Sequence, residues 1–397
     1  MLILGLVCHH WYYATHRPKL RTHLKLMIKT KTGKTRAGFE KLKTWLESFE
    51  EDELKYLRHL SFVNFSNHLT KSFALLLECK FSLAHLEIMT SQMGNMTLWK
   101  KFVSTLCPKL ASFTANGFTF SHKALNDLLQ IETLTKLVIH DSGPVRSSID
   151  WSLAKNLDHL DIYYSAQSPP LAGAEIELLK LKLPKLKFLQ LANIVISERG
   201  IARELERAQR GEVELDGFPN LRFLSLRRSF ITANNSVDAL LFLIGKSDLI
   251  DTIDLQGCDR FDYSDLLVAL GPLSGRPTLK TLDLTGIDAR AGFCDFFRTN
   301  GMEVKLNDLT VSTNKTNLKS AELFEHFITS MILNNKYLKK LNISKTNIEN
   351  VQLRRLLKCN KNLETINLTG CYGAPRGWRR EVSRSEFETL RRLCKKK

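Results

Sequence analysis

The 397-residue sequence has eight cysteines but no Cys-x-x-Cys pair, and no Cys/His cluster at zinc-ligand spacing. A structural metal site is therefore not expected. No apolar run approaches the about 20 residues that a membrane-crossing helix requires, so a transmembrane segment is not expected either. The opening residues Met1, Leu2, Ile3, Leu4, Gly5, Leu6 and Val7 are apolar, but they lack a basic leader. Cys8, His9, His10 and Trp11 follow where a small-residue cleavage site would stand, which argues against a secretory signal. Gly33, Lys34 and Thr35 end like a phosphate-binding loop, but Ile28 occupies the place of the glycine that such a loop needs. Nucleotide binding is not expected.

A catalytic constellation is missing as well. Catalysis needs a nucleophile beside an oriented base, or carboxylates at a defined separation. His59, His85, His140 and His159 fall on strand positions expected to face outward, but each comes from a different strand and no cysteine or set of carboxylates accompanies them. The sequence reads as that of a non-enzyme without cofactors.

What is present is a repeat. In the stretch Leu279, Lys280, Thr281, Leu282, Asp283, Leu284, Thr285, Gly286, the spacing L-x-x-L-x-L puts Leu282 and Leu284 on one face of a short strand, because side chains alternate across a strand. Thr-Gly then reads as a turn. The spacing recurs from Leu57, Leu83, Leu110, Leu134, Leu157, Leu186, Leu221, Ile250, Leu306, Leu338 and Leu363. That makes about twelve copies about 28 residues apart, within the 20–29-residue period of leucine-rich repeats. Helical patterns between the strands, at residues 69–79, 99–106, 124–129 and 323–333, predict an α/β solenoid. Because helices are wider than strands, it should curve with its strands on the concave wall.

The repeat explains other features. Cys258 and Cys371 stand just after repeat strands, which suits buried, reduced thiols and a cytoplasmic or nuclear setting. Asn-x-Ser/Thr triplets begin at Asn64, Asn95, Asn234, Asn314, Asn342 and Asn367. Two of these lie within strands, where glycans would crowd adjacent rungs, so the triplets are read as chance.

The segment before the repeats has a different character. Leu6, Val7, Cys8 and Trp11 form an L-V-C-x-x-W motif, followed by Tyr12, Tyr13, Pro18 and a link into Leu24 and Leu26. This resembles the second half of an F-box placed directly before leucine-rich repeats. The Leu-Pro helix that opens the family's box has no counterpart in the sequence. The resemblance implies a substrate-recognition subunit of a Skp-cullin-F-box ubiquitin ligase, with the Skp-type adaptor contacting Leu6, Val7, Cys8 and Trp11. On this reading the repeats hold a protein substrate. A repeat scaffold or inhibitor unrelated to ubiquitination, with residues 1–26 as a cap, is the alternative.

The organisation expected is an F-box-like segment and cap at 1–26, a basic loop and helix at 27–56, repeats at 57–380, and a basic capping helix or tail at 381–397. In the tail, Phe387, Leu390 and Cys394 share a helical face. Residues 168–170 (Ser-Pro-Pro) and 201–217 are read as insertions.

The outward strand positions should display Glu87, Lys136, Asp161, Arg227, Asp254, Asp283, Asp308 and Lys340. Tyr163, Phe188 and Phe223, together with Asp254 and Asp283, are the candidate partner-binding residues of the concave face, because exposed aromatics beside acidic groups suit a protein segment. The net charge of +17 resides mostly at the ends, with +9 in residues 17–43 and +6 in residues 376–397. The sheet is therefore nearly neutral, and nucleic acid or anionic lipid could engage only the basic termini.

Overall fold

The computed structural model describes residues 25–29, 35–47, 57–66, 69–92, 95–143, 148–165, 175–197, 199–212, 217–231, 236–245, 247–258, 261, 266, 278–287, 306–312, 337–346 and 348–394. Leu6, Val7, Cys8 and Trp11, the Gly33-Lys34 pair, residues 168–170 and the helix expected at 323–333 lie outside the described residues. The chain divides into two units, one of Met1–Ile176 with Lys180–Leu186 and one of Glu177–Leu179 with Lys187–Lys397.

The first unit carries six parallel strands that follow one another in chain order: β1 (Lys25–Lys29), β2 (His59–Ser66), β3 (His85–Gln92), β4 (Ser112–Thr119), β5 (Lys136–His140) and β6 (His159–Tyr163). Parallel neighbours cannot be joined by a hairpin, so each connection must cross over. Helices α1 (Thr35–Glu47), α2 (Leu69–Leu76), α3 (Met96–Leu106) and α4 (His122–Leu129) do this. Each start is legible in the local chemistry where a cap is present. The Asn95 side chain accepts the Leu98 N–H at 3.1 Å and the Ser121 hydroxyl accepts the Ala124 N–H at 3.3 Å. Such caps are worth about 1 kcal/mol each. The Asn95 triplet is thus a helix start.

The crossovers bury rings. Phe73 of α2 stacks on Phe102 of α3 at 4.2 Å, and Trp99 meets the strand residues Phe113 and Phe118, each at 6.2 Å. The Trp99 indole N–H donates to the Ala124 carbonyl at 3.1 Å, so its one polar atom is satisfied in the core. A helix was expected after each strand; among the described residues between β5 and β6 there is a 3-10 turn, Trp151–Leu153, begun by Asp150. Trp151 is buried, and its turn packs against α4.

In the second unit β8 (Phe188–Ala192), β10 (Phe223–Ser225), β12 (Thr252–Asp254), β13 (Thr281–Asp283), β14 (Asp308–Thr310), β15 (Lys340–Asn342) and β16 (Thr365–Asn367) are parallel. Short strands lie off this ladder: β7 (Glu175–Glu177), whose first two residues belong to the first unit, and β9 (Val195–Ser197) and β11 (Phe230–Ile231), which pair in parallel. Helices α5 (Ile201–Gln209) and α6 (Ser236–Ile244) follow β9 and β11. The central residues Leu189, Leu224, Ile253, Leu282, Leu309, Leu341 and Ile366 are in register and all buried, forming one apolar stripe.

A left-handed residue follows each of six strands at the same repeat position: Asn193, Arg228, Gly257, Gly286, Lys345 and Gly370, with φ between 55° and 81°. The Gly257 N–H donates to the Thr285 carbonyl, and the Gly286 N–H to the Ser312 carbonyl, each at 2.7 Å, so successive turns stack as the strands do. The next residue closes the repeat from within. Ser229 Oγ donates to the Leu191 carbonyl at 2.6 Å, Cys258 Sγ to Leu226 at 2.8 Å and Cys371 Sγ to Ile343 at 3.0 Å. Both cysteines are buried and unpaired with another sulfur, and they occupy the N/C position of the leucine-rich-repeat pattern.

The last repeat ends in a cap. Strand β17 (Glu381–Ser383) pairs antiparallel with β16, covering the edge that a parallel ladder leaves open. A 3-10 turn at Arg384–Glu386 leads into α8 (Phe387–Leu393), which packs on α7 (Asn350–Cys359). Phe387, Leu390 and Cys394 are buried beneath it. Among the described residues no helix is long and apolar enough to cross a membrane. The repeating strand, left-handed turn and covering connector are those of a leucine-rich repeat in an α/β fold.

Candidate functional site

Because alternate residues of each strand point inward, the outward face of the second unit's parallel strands consists of two rows on either side of the buried stripe. The first row reads Phe188, Phe223, Thr252, Thr281, Asp308, Lys340 and Thr365. The other reads Gln190, Ser225, Asp254, Asp283, Thr310, Asn342 and Asn367.

In the first row Phe188 and Phe223 lie directly opposite one another. Their rings stack with centroids 4.2 Å apart and planes 2° from parallel. Both are only partly buried. This is an apolar platform on a face otherwise made of hydroxyl, amide and charged groups. Tyr163, the third candidate, belongs to the first unit. It is in register with His140 and meets that ring edge-on at 5.6 Å. Counted from the first leucine of each repeat, it is His159, not Tyr163, that matches Phe188, so the three aromatics do not share one row position.

Asp254 and Asp283 are adjacent in the second row. Asp254 Oδ2 accepts from Ser225 Oγ at 3.1 Å and lies 3.3 Å from Arg227 Nε. Arg227 itself is beyond the end of β10, in the turn, and reaches back to the row. The second oxygen of each aspartate has a local task. Asp254 Oδ1 accepts the Gln256 N–H at 3.0 Å, and Asp283 Oδ1 accepts the Thr285 N–H at 2.9 Å. Asn342 and Asn367 do the same for Ser344 and Thr369, at 3.0 and 2.9 Å. These side chains pin the turn in the manner of an Asx-turn. The Asn342 and Asn367 triplets are accounted for by that geometry. Burial raises the Asp283 carboxyl above its ordinary range, Thr285 hydrogen bonds oppose this, Asp254 adds to the rise, and Arg227 opposes it. Asp308 is also raised, again mainly by burial, with Lys340 opposing.

The four strand histidines of the first unit, His59, His85, His140 and His159, occupy two rows. His59, His85, Ser112, Lys136 and His159 are aligned across five strands, and the His59 and His85 rings are 5.4 Å apart. His140 is in another row, with Nε2 2.9 Å from Asp161 Oδ2. Burial lowers the His159 pKa, and the neighbouring Lys136 charge adds to that, against the attraction of Asp161 and Asp158. Among the described residues no group of three or more His, Cys, Asp or Glu side chains could hold a metal ion. The arrangement offers stacking, ion pairing and hydrogen bonding, which are the elements of recognition.

Sequence reasoning did not single out the aromatic residues of the C-terminal cap. Tyr372 is 74% exposed, and the Arg379 and Arg380 guanidiniums lie over the rings of Tyr372 and Trp378. The signal was available in the Trp378-Arg379-Arg380 run, which was counted only as charge.

No protein-family model matches the chain, and no curated protein matches it. Among solved structures, an internalin from Listeria monocytogenes is 12% identical with a TM-score of 0.45, over 83% of this chain and 87% of that one. The leucine-rich repeat-containing protein LegL7 from Legionella pneumophila is 14% identical with a TM-score of 0.38, over 83% and 94%. A chain of the Rad7 and Elc1 complex in yeast is 16% identical with a TM-score of 0.36, over 75% and 74%. None of the three is similar enough to lend this chain a ligand or a partner.

Proposed function

We propose that this chain is a non-catalytic protein-binding repeat protein that takes a partner segment on the outward face of the parallel strands of its second unit. The observation that carries the reading is the stacked, partly exposed pair Phe188 and Phe223 on an otherwise polar face. Interface energy concentrates in aromatic and arginine anchors surrounded by near-neutral contacts. The rings supply the anchor, Asp254 and Asp283 supply charge on the strands beside it, and Arg227 supplies it from the turn after β10.

Within that reading, the role proposed is substrate recognition in a Skp-cullin-F-box ubiquitin ligase. It rests on the resemblance of Leu6, Val7, Cys8 and Trp11 to the family's motif and on their position before the repeats. The adaptor would hold that segment while the sheet holds the substrate, and the chain itself would perform no chemistry. Co-expression with a Skp-type adaptor and affinity purification of the full chain tests it. Recovery of the adaptor with the wild type, and its loss in a Leu6→Ala, Trp11→Ala double variant of unchanged melting temperature, is the expected result. Failure of the wild type to recover the adaptor refutes the ubiquitin role and leaves a scaffold or inhibitor. The sheet is tested separately: Phe188→Ala and Phe223→Ala should each weaken partner binding at least about tenfold while adaptor recovery is unchanged.

A further inference from the structure

The C-terminal cap carries a second surface whose chemistry differs from that of the sheet. Between Cys371 and β17 the chain makes a loop containing Tyr372, Arg376, Trp378, Arg379 and Arg380, and Arg384 follows the strand. Two of the arginines are fixed. Arg379 Nη2 donates to the Tyr372 carbonyl at 2.7 Å and its Nε to the Ala374 carbonyl at 3.4 Å, which sets the guanidinium 5.6 Å from the centre of the Tyr372 ring. Arg380 is held by a two-point pair with Glu386, one contact being Nη1 to Oε2 at 3.1 Å, and lies 5.3 Å from the centre of the Trp378 ring. Two arginine-over-aromatic stacks are thus built into one loop.

The remaining charge is uncommitted. Arg376 and Arg384 are exposed, and among the described residues neither guanidinium has an ion pair or hydrogen bond. Glu381 is the one carboxylate of the loop and strand, since Glu386 is already engaged by Arg380. The aliphatic residues Ala374 and Val382 are buried at 3% and 0%, so the loop presents rings and cations but no aliphatic anchor.

From this combination we propose that residues 372–384 form a binding surface for single-stranded nucleic acid. Flat, preorganised rings and guanidinium planes stack with bases of any identity, and free guanidiniums bind the phosphates between them. A bilayer surface would call for apolar side chains able to insert, which this loop keeps buried. An acidic protein segment would use the charge and leave the exposed Tyr372 ring face without a role. The surface requires no base-specific contact, so sequence preference should be weak and salt dependence pronounced.

The test is fluorescence anisotropy of a labelled twelve-nucleotide oligouridine with the full chain at physiological salt. Phosphatidylserine vesicles and polyglutamate serve as the comparison probes. Tyr372→Ala should weaken oligouridine binding about fivefold or more while Tyr372→Phe retains it, because the ring face and not the hydroxyl does the stacking. The Arg376→Glu, Arg384→Glu pair should weaken binding further and flatten its salt dependence. All three variants alter exposed side chains, so an unchanged melting temperature accompanies the expected result. Absence of saturable oligouridine binding overturns the proposal. Equal affinity of wild type and Tyr372→Ala also overturns it, by reducing the loop to generic charge. Tighter binding of vesicles or polyglutamate than of the oligonucleotide assigns the surface to another partner.

Discussion

Truncating one ring of the Phe188 and Phe223 pair separates a recognition platform from a piece of core. A fully buried phenylalanine cut to alanine costs about 3–5 kcal/mol, since the cavity term adds to lost transfer energy. Phe218, in the same unit, is 1% exposed and meets Phe242 edge-on at 6.1 Å, so Phe218→Ala sets that upper mark. Phe223 retains part of its surface in water, which roughly halves the transfer contribution. Its stack on Phe188 adds about 0.5–1.5 kcal/mol beyond area. Phe223→Ala should therefore destabilise the chain by about 1–3 kcal/mol, below Phe218→Ala. Equilibrium urea unfolding of both variants measures the difference. The double variant Phe188→Ala, Phe223→Ala supplies the coupling energy, expected at about 0.5–1.5 kcal/mol. Phe223→Ala costing as much as Phe218→Ala would sink the reasoning, because the rings would then be core and the partner surface would have to be sought elsewhere.

Three further outcomes follow from the repeat geometry. Gly286→Ala forces a side chain onto a residue at φ 81° whose Cβ would sit 3.5 Å from the Gly257 backbone, so a loss of about 1–2 kcal/mol is expected in thermal or urea unfolding. Ser142→Ala removes a buried hydroxyl that accepts the Phe118 N–H at 3.0 Å and donates to the His140 carbonyl at 2.7 Å. Stranding that N–H should cost about 1–3 kcal/mol, read by urea unfolding. His159 has a folded-state pKa below its ordinary 6.5, so the unfolded chain takes up protons first as pH falls. The favourable state is present above 6.5 and is lost on acidification, and His159→Gln should show a smaller fall in melting temperature between pH 7.5 and 5.5 than the wild type.

Much of the repeat was legible because one spacing serves a single physical purpose. Leu282 and its counterparts Leu224, Ile253, Leu309, Leu341 and Ile366 had to share a buried stripe, and a two-residue alternation fixes which neighbours face outward. The helical face of Phe387, Leu390 and Cys394 was legible for the same reason, since its period is that of a helix. What stayed hidden depends on geometry that period alone does not encode. Tyr163 was grouped with Phe188 and Phe223 because it lies on a repeat strand, yet its place within the repeat is that of Ala192. Arg227 was placed on a strand that ends at Ser225. The turn that follows each strand needs a left-handed residue, and glycine announces it at Gly257, Gly286 and Gly370. Asn193, Arg228 and Lys345 fill the same position without that signal.

The two outward rows of the second unit's strands are not equally free to evolve a binding function. Asp254, Asp283, Asn342 and Asn367 occupy corresponding positions, and each accepts a backbone N–H two residues further on. A side chain with a carbonyl or carboxylate oxygen at that reach serves the turn whether or not anything binds, although Ser225 and Thr310 fill the same row without one, so the acidity of Asp254 and Asp283 is partly a by-product of turn chemistry. Asparagine meets the requirement without charge, as Asn342 and Asn367 show. The charge at Asp254 and Asp283 is thus the informative difference, whereas the polar character is not. The row of Phe188, Phe223, Thr252, Thr281, Asp308, Lys340 and Thr365 has no comparable shared turn bond. Residues there are chosen by packing against the neighbouring rung or by a partner. Two stacked phenylalanines left partly in water gain less from packing than buried rings do, which is why that row, and not the acidic one, is the better place to look for the partner's footprint.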